Sequence, residues 1–272
     1  MVEGAMNRAM PPAMEVNSVS KRFGGVVAVS NVSMVIDYGQ VTCVLGDNGA
    51  GKSTLIKVMS GVYRPSTGEL RIDGDRVELP SPRAAQTRGI ATVHQDVGAF
   101  PLMDVARNFF VGRELEKGRG LFRRLDKERA GEVAVEHMQQ LGIRRVTSGD
   151  QLVGTLSGGE RQALAIARAL HFGARVLILD EPTSALGVKE AGIVLRLMAQ
   201  VKAKGVAIVF VTHNADHALA VGDSFVVLTH GAIAERFATG GRSRDAVMGL
   251  MSGGEPLKAP DVGVDDFGGR GG

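Results

Sequence analysis

The chain has 272 residues, a formal net charge of +3, 44% hydrophobic residues and 22% charged residues, which suits a globular domain with a substantial core. So small a net charge makes no electrostatic case for nucleic acid, and 4% aromatics without tryptophan argue against a base-stacking surface. No apolar run reaches the roughly 18 residues that a membrane-spanning helix needs, and a single cysteine, Cys43, rules out an intrachain disulfide.

Taken in chain order, the opening MVEGAMNRAMPPAMEV has neither an apolar signal core nor a basic lead, so 1–13 reads as a flexible arm rather than a secretory peptide. A β region is expected over Met14 to Ile36, with alternation in Val26 to Ile36. Val41 to Leu45 then reads as a buried strand, in which Cys43 is core filler, running into a glycine loop and a helix from Lys52. Leu70 to Val77, broken by Asp73-Gly74, reads as a hairpin, and Ala91 to Val93 as a short strand. From Leu102 to Leu152 the character turns charged and helical without a clear strand, Asp126 to Leu141 being the best helix. The mixed charges of Arg113 to Arg129 read as a solvated face. Strand signals resume at Val176 to Leu179, Val206 to Val211 and Phe225 to Leu228. The pattern predicts one α/β domain over 14–252, with a largely parallel sheet and a helical insertion over about 96–157, followed by a flexible Gly- and Asp-rich tail over 253–272.

Two motifs carry chemistry on their own terms. Gly46-Asp47-Asn48-Gly49-Ala50-Gly51-Lys52-Ser53 matches G-x-x-x-x-G-K-[ST], between a strand and a helix. Glycines let the backbone wrap a phosphate, and the helix start adds its positive dipole end. Lys52 neutralises the β- and γ-phosphates, Ser53 supplies a hydroxyl to Mg²⁺, and Thr54 completes the nucleotide-binding set. The second motif, Val176-Leu177-Ile178-Leu179-Asp180-Glu181, is an apolar strand ending in two acids. At the C-terminal end of a parallel strand beside the loop, Asp180 is placed to hold Mg²⁺ through water and Glu181 to polarise an attacking water.

Leu156-Ser157-Gly158-Gly159-Glu160-Arg161-Gln162 precedes a helical run, and with DEPTSAL at Asp180 to Leu186 it resembles the signature of the ATP-binding cassette (ABC) family. The resemblance covers Met14 to Met251. It implies a P-loop ABC ATPase core with mostly parallel sheet, an N-terminal antiparallel β region and a helical insertion. It also implies that Ser157, Gly158 and Gly159 close, across a dimer, on ATP held by a second subunit. By the same resemblance Gln95 senses Mg²⁺ and water, His213 contacts the γ-phosphate, and Phe23 stacks on adenine. The catalytic set is then Glu181, His213 and Gln95, with Mg²⁺ held by Ser53, Gln95 and, through water, Asp180. One departure is Gly187, where the family commonly has the Asp that helps couple the two ATP sites.

The variants SALGVKE, TVHQD, PLMDVARNFFVGRE and THNADHALAVGD resemble monosaccharide importers, in a single-cassette form. The implied partners are an integral-membrane permease, a second ATPase subunit and, indirectly, a solute-binding protein, with no nucleic acid. The implied location is the cytoplasmic face of the cell membrane. A soluble ABC ATPase acting on ribosomes or DNA is the alternative; it lacks support from tandem cassettes, long coiled coils or basic inserts. A GTPase would need an N-K-x-D motif, which is absent.

Overall fold

The computed structural model describes residues 11–95, 98–118 and 123–253. Most of the 1–13 arm and of the 253–272 tail read from the sequence therefore lie outside the described residues. Ala13, at the end of that arm, is buried.

The chain opens with β1 (Met14–Phe23) and β2 (Val26–Ile36), followed by β3 (Val41–Leu45), α1 (Lys52–Met59), β4 (Thr67–Ile72) and β5 (Asp75–Val77). Next come α2 (Pro82–Thr87), β6 (Ile90–Val93), α3 (Val105–Phe110), β7 (Glu116–Lys117), β8 (Arg124–Leu125) and α4 (Lys127–Gln140). The remainder is α5 (Gly158–His171), β9 (Val176–Asp180), α6 (Val188–Ala203), β10 (Ala207–Thr212), α7 (Ala215–Val221), β11 (Ser224–Thr229), β12 (Ala232–Ala238) and α8 (Arg244–Met251).

Two sheets result. An antiparallel one has the order β2-β1-β4-β5, and the larger has the order β12-β11-β3-β10-β9-β6. In the larger sheet β11, β3, β10, β9 and β6 run parallel, and only β12 is antiparallel to its neighbour. The reason lies in the strand sequences. Every residue of β3 and of β10 is buried, as strands covered on both faces must be. Along β10, Ile208 and Phe210 face one core with α5 and α6, whereas Ala207, Val209 and Val211 face a second core with α1 and the antiparallel sheet. The period of two thus splits one apolar run between two cores.

The helix expected over Asp126 to Leu141 is α4, with Asp126 as its N-cap, its side chain accepting from the Arg129 amide, and Leu141 as its C-cap. The Asp73-Gly74 break is the β4–β5 turn, with Asp73 at φ 53°. One expectation is corrected: the insertion is not free of strands. β7 and β8 pair Glu116 with Leu125 and Lys117 with Arg124. Strands of two residues are too short to show an alternating pattern, so nothing in this charged stretch announces them.

Candidate functional site

The carboxyl ends of β3, β6, β9 and β10 gather at one edge of the parallel sheet, the crevice where open α/β folds bind ligands. At the end of β3 the chain wraps into α1. Gly51, its N-cap, has φ 100°, and a Cβ there would lie 2.6 Å from the Ala28 carbonyl oxygen, so only glycine fits. Among the described residues no acceptor engages the amides of Gly51, Lys52 or Ser53, the unpaired donors that open a helix. They remain available to an anion.

Lys52 is buried, and its ammonium donates to the carbonyl oxygens of Gly46 at 2.7 Å and Asp47 at 3.1 Å. Burial pushes its pKa down, opposed by the charges of Glu181, Asp47 and Asp180. A desolvated cation at the floor of a cleft gains by receiving an anion. Asp47 folds back on its own loop, its Oδ1 accepting from the Asn48 amide at 2.7 Å.

Asp180 ends β9, and Glu181 follows with φ 50°, a left-handed conformation costing a non-glycine residue about 1–3 kcal/mol. It is held there by its amide, which donates to the Val211 carbonyl at 2.9 Å. The turn brings Glu181 Oε1 to 2.9 Å from His213 Nδ1 and 4.0 Å from the Lys52 ammonium. Thr212 donates to its other oxygen at 3.4 Å. His94 Nδ1 lies 3.7 Å from an oxygen of Asp180.

These groups meet in a cleft of about 550 Å³ lined by the whole run from Asp47 to Thr54, by Gln95, Asp180 and Glu181, and by Val26, Val27 and Ala28 of β2. Gly46 adjoins it through the Lys52 bond. His213 reaches it through Glu181. A wider depression of about 990 Å³ lies against α4, but both of its lysines are already paired, Lys117 with Asp126 at 3.1 Å and Lys127 with Asp104 at 3.2 Å.

Four residues read from the sequence lie away from the cleft. Phe23 stands edge-on to Tyr63, ring centroids 5.1 Å apart, with the Lys21 ammonium 5.2 Å from its own centroid. It pairs with Val26 across the β1–β2 hairpin, so Val26 and Val27 supply the apolar wall beside it. Ser157, Gly158 and Gly159 are also elsewhere, at the start of α5. There Ser157 Oγ accepts from the Glu160 amide at 3.3 Å and Glu160 accepts from the Ser157 amide at 2.8 Å, a capping box. Sequence reasoning missed Val26, Val27 and Ala28, and also His230 and Gly231 of the β11–β12 turn, which line the cleft from behind. Only the sheet order brings that turn to the loop, through the Gly231 amide bonded to the Ala50 carbonyl at 3.0 Å.

A buried lysine and free amides at a helix start, faced by two acids at the end of one parallel strand, β9, define a P-loop nucleotide-hydrolysing fold with a separate capped, glycine-led helix. Residues 29–184 match the family model described as ABC transporter, and the chain belongs to that family, whose cassettes bind and hydrolyse ATP. It is 40% identical over 79% of its length to the fructose import ATP-binding protein FrcA of Rhizobium meliloti, covering 84% of that protein. It is 41% identical over 82% of its length to the xylose/arabinose import ATP-binding protein XylG of Sulfolobus acidocaldarius, covering 87% of it. Against a putative ribose/galactose/methyl galactoside import ATP-binding protein of Burkholderia ambifaria the identity is 39% over 91% of this chain, which spans only 48% of that relative. Among solved structures, the ADP conformation of an ATP-binding cassette of an ABC transporter aligns with a TM-score of 0.74 at 25% identity, covering 89% of this chain and 95% of that one. A dimeric cassette in a post-hydrolysis state, bound to ADP and Pi, aligns with a TM-score of 0.68 at 26% identity, covering 84% of this chain and all of that one.

Proposed function

We propose that this chain is the ATP-hydrolysing subunit of a monosaccharide importer, working as a pair of cassettes on the cytoplasmic face of the membrane beside a separate permease. The observation that carries the reading is the convergence of Lys52, Asp180 and Glu181 on one cleft, with His213 bonded to the Glu181 carboxylate. The names of the 40% and 41% identical relatives support sugar as the cargo, and the dimeric neighbour supports the pairing.

In this reading the loop Gly46 to Thr54 wraps the phosphates, and Lys52 neutralises the β- and γ-groups. Adenine lies on Phe23, a residue 43% exposed, and against Val26. Ser53, Gln95 and Asp180 line the same cleft and offer only oxygen donors, the set that suits Mg²⁺, with Asp180 acting through water. When bound, that ion would offset phosphate charge. Glu181 orients and deprotonates the attacking water, and His213 faces the γ-phosphate while holding Glu181. Ser157, Gly158 and Gly159 receive the γ-phosphate of ATP held by the second subunit. They do not line this chain's own cleft, which is why a partner is needed. The domain is 14–252, with the helical part over about 96–157 placed to meet the permease. There Phe100, Leu102 and Leu152 are exposed, apolar side chains that a permease would cover. A solute-binding protein acts only through the permease. Nucleic acid has no place in this reading.

Two measurements on the Glu181→Gln chain test it. ATP affinity is expected to stay near that of the unmodified chain while hydrolysis falls by about 10²–10⁴; unchanged turnover would remove Glu181 from its role. Tagged Glu181→Gln protein recovered from detergent-solubilised membranes with Mg-ATP is expected to bring a multi-span permease. Ribosomal or DNA-repair partners without a membrane protein would overturn the transport reading.

A further inference from the structure

The start of α5 is held from two sides by carboxylates. Glu160, from its own first turn, takes the Ser157 amide at 2.8 Å. Glu190, from the first turn of α6, takes the Gly158 amide at 3.0 Å through Oε1 and the Gly187 amide at 3.4 Å through Oε2. One side chain therefore ties together the starts of two helices. The approach is close: a Cβ on Gly158 would collide with the Leu186 side chain, and one on Gly159 would lie 3.1 Å from the Glu190 carbonyl oxygen. Among the described residues, the Gly159 amide and the Ser157 hydroxyl proton have no acceptor at this helix start.

The segment that Glu190 grips also follows the acid at the end of β9. Ser184 donates to the Glu181 carbonyl through its amide at 3.2 Å and its hydroxyl at 3.1 Å, and the Leu186 amide donates to the Thr183 carbonyl at 3.3 Å. Short bonded steps thus run from Glu181 through Ser184, Leu186 and Gly187 to Glu190, and from there to Gly158. Gly187 itself contributes no side chain to this path; its amide simply points at Glu190.

We infer that Glu190 is a positioning residue for ATP-driven pairing of two cassettes: it fixes the Ser157–Gly158 peptide so that the Gly159 amide and the Ser157 hydroxyl face the partner's nucleotide, in register with the loop after Glu181. The inference rests on the reading of Ser157 to Gly159 as a contact to ATP held by a second copy. Removing the carboxylate frees the peptide to turn and leaves two amides without acceptors. It does not touch the cleft in which the chain holds its own nucleotide, because Glu190 is not part of that lining.

The test uses the full chain in the Glu181→Gln background, with sedimentation velocity to read dimerisation in Mg-ATP and calorimetry to read ADP affinity of the monomer. Adding Glu190→Ala is expected to weaken the ATP dimer by about tenfold, with ADP affinity within about twofold of the parent. Glu190→Gln keeps one acceptor oxygen and is expected to fall between the two. A double variant that dimerises like its parent overturns the role of Glu190. One that dimerises more tightly marks Glu190 as a competitor for the Gly158 amide and overturns it equally. A Glu181→Gln parent that forms no dimer with ATP overturns the pairing reading itself and the Glu190 inference with it. Where Glu190→Ala also loses ADP binding, the chain is generally disturbed and Glu190→Gln decides: dimerisation equal to the parent's overturns the inference.

Discussion

The loop at Gly46 to Ser53 and the helix start at Ser157 to Gly159 look alike in sequence, each a glycine run feeding an α-helix, yet they use glycine for different reasons. In the first, Gly51 is needed for its backbone: φ is 100° and the Ala28 carbonyl crowds the missing Cβ. The amides beyond it are unpaired and face a cleft. In the second, Gly158 lies outside the left-handed region and is needed for room, because Leu186 packs over it. Its amide is already taken by Glu190. One glycine run leaves unpaired amides at a cleft formed within the chain. The other builds a tight joint in which, among the described residues, the Gly159 amide and the Ser157 hydroxyl proton have no acceptor.

The sharpest way to break the first half of that comparison is Lys52→Ala, which strips the buried cation and leaves the Gly46 and Asp47 carbonyls without their donor. ATP affinity by calorimetry is expected to fall by about 10²-fold, and wild-type affinity would contradict the cradle. A pair of alanines probes the glycines directly. Gly51→Ala forces a left-handed backbone on a residue with a Cβ, so unfolding in denaturant should show a loss of about 1–2 kcal/mol. Gly158→Ala meets the ends of two flexible side chains, Leu186 and Glu190, and no backbone, so its stability loss should be under about 1 kcal/mol, with ATP-dependent dimerisation affected more than stability. Equal destabilisation by the two would mean that the glycines serve one purpose after all.

The smallest effect lies at the far end of the helix that starts at Gly158. His171 Nδ1 is 2.9 Å from His137 Nε2, among Phe109, Phe110 and Phe172. Burial, with the neighbouring His137, holds the His171 imidazole below its ordinary value of about 6.5. The folded chain then binds fewer protons than the unfolded one, so this stability is full above that value and lost as pH falls beneath it. Thermal unfolding at pH 7.5 and 5.5 should show the loss, and His171→Phe should flatten it. An unchanged slope in that variant would place the acid sensitivity elsewhere and leave the joint at α4 and α5 without a titrating element.

What could be read without coordinates follows from local chemistry. The buried strands β3, β9 and β10 were legible because both-face burial leaves an unbroken apolar run. The α4 helix was legible because its charged stretch carries a helical pattern. That the loop up to Thr54 and the pair Asp180 and Glu181 share one cleft follows a pattern legible in the sequence, because each motif there is a contiguous stretch. The β7–β8 hairpin escaped because two residues carry no period.

Tertiary structure alone decided what depends on distant segments meeting. It put His213 on Glu181 across 32 positions and Val26, Val27 and the β11–β12 turn around the cleft. It turned Glu181 left-handed under a bond to Val211, and it brought Glu190 to Gly158. A sequence specifies a motif where its atoms are neighbours along the backbone. Where the atoms come from separate strands and helices, the order of the sheet and the packing of its two cores set the distances, and those exist only once the chain has folded.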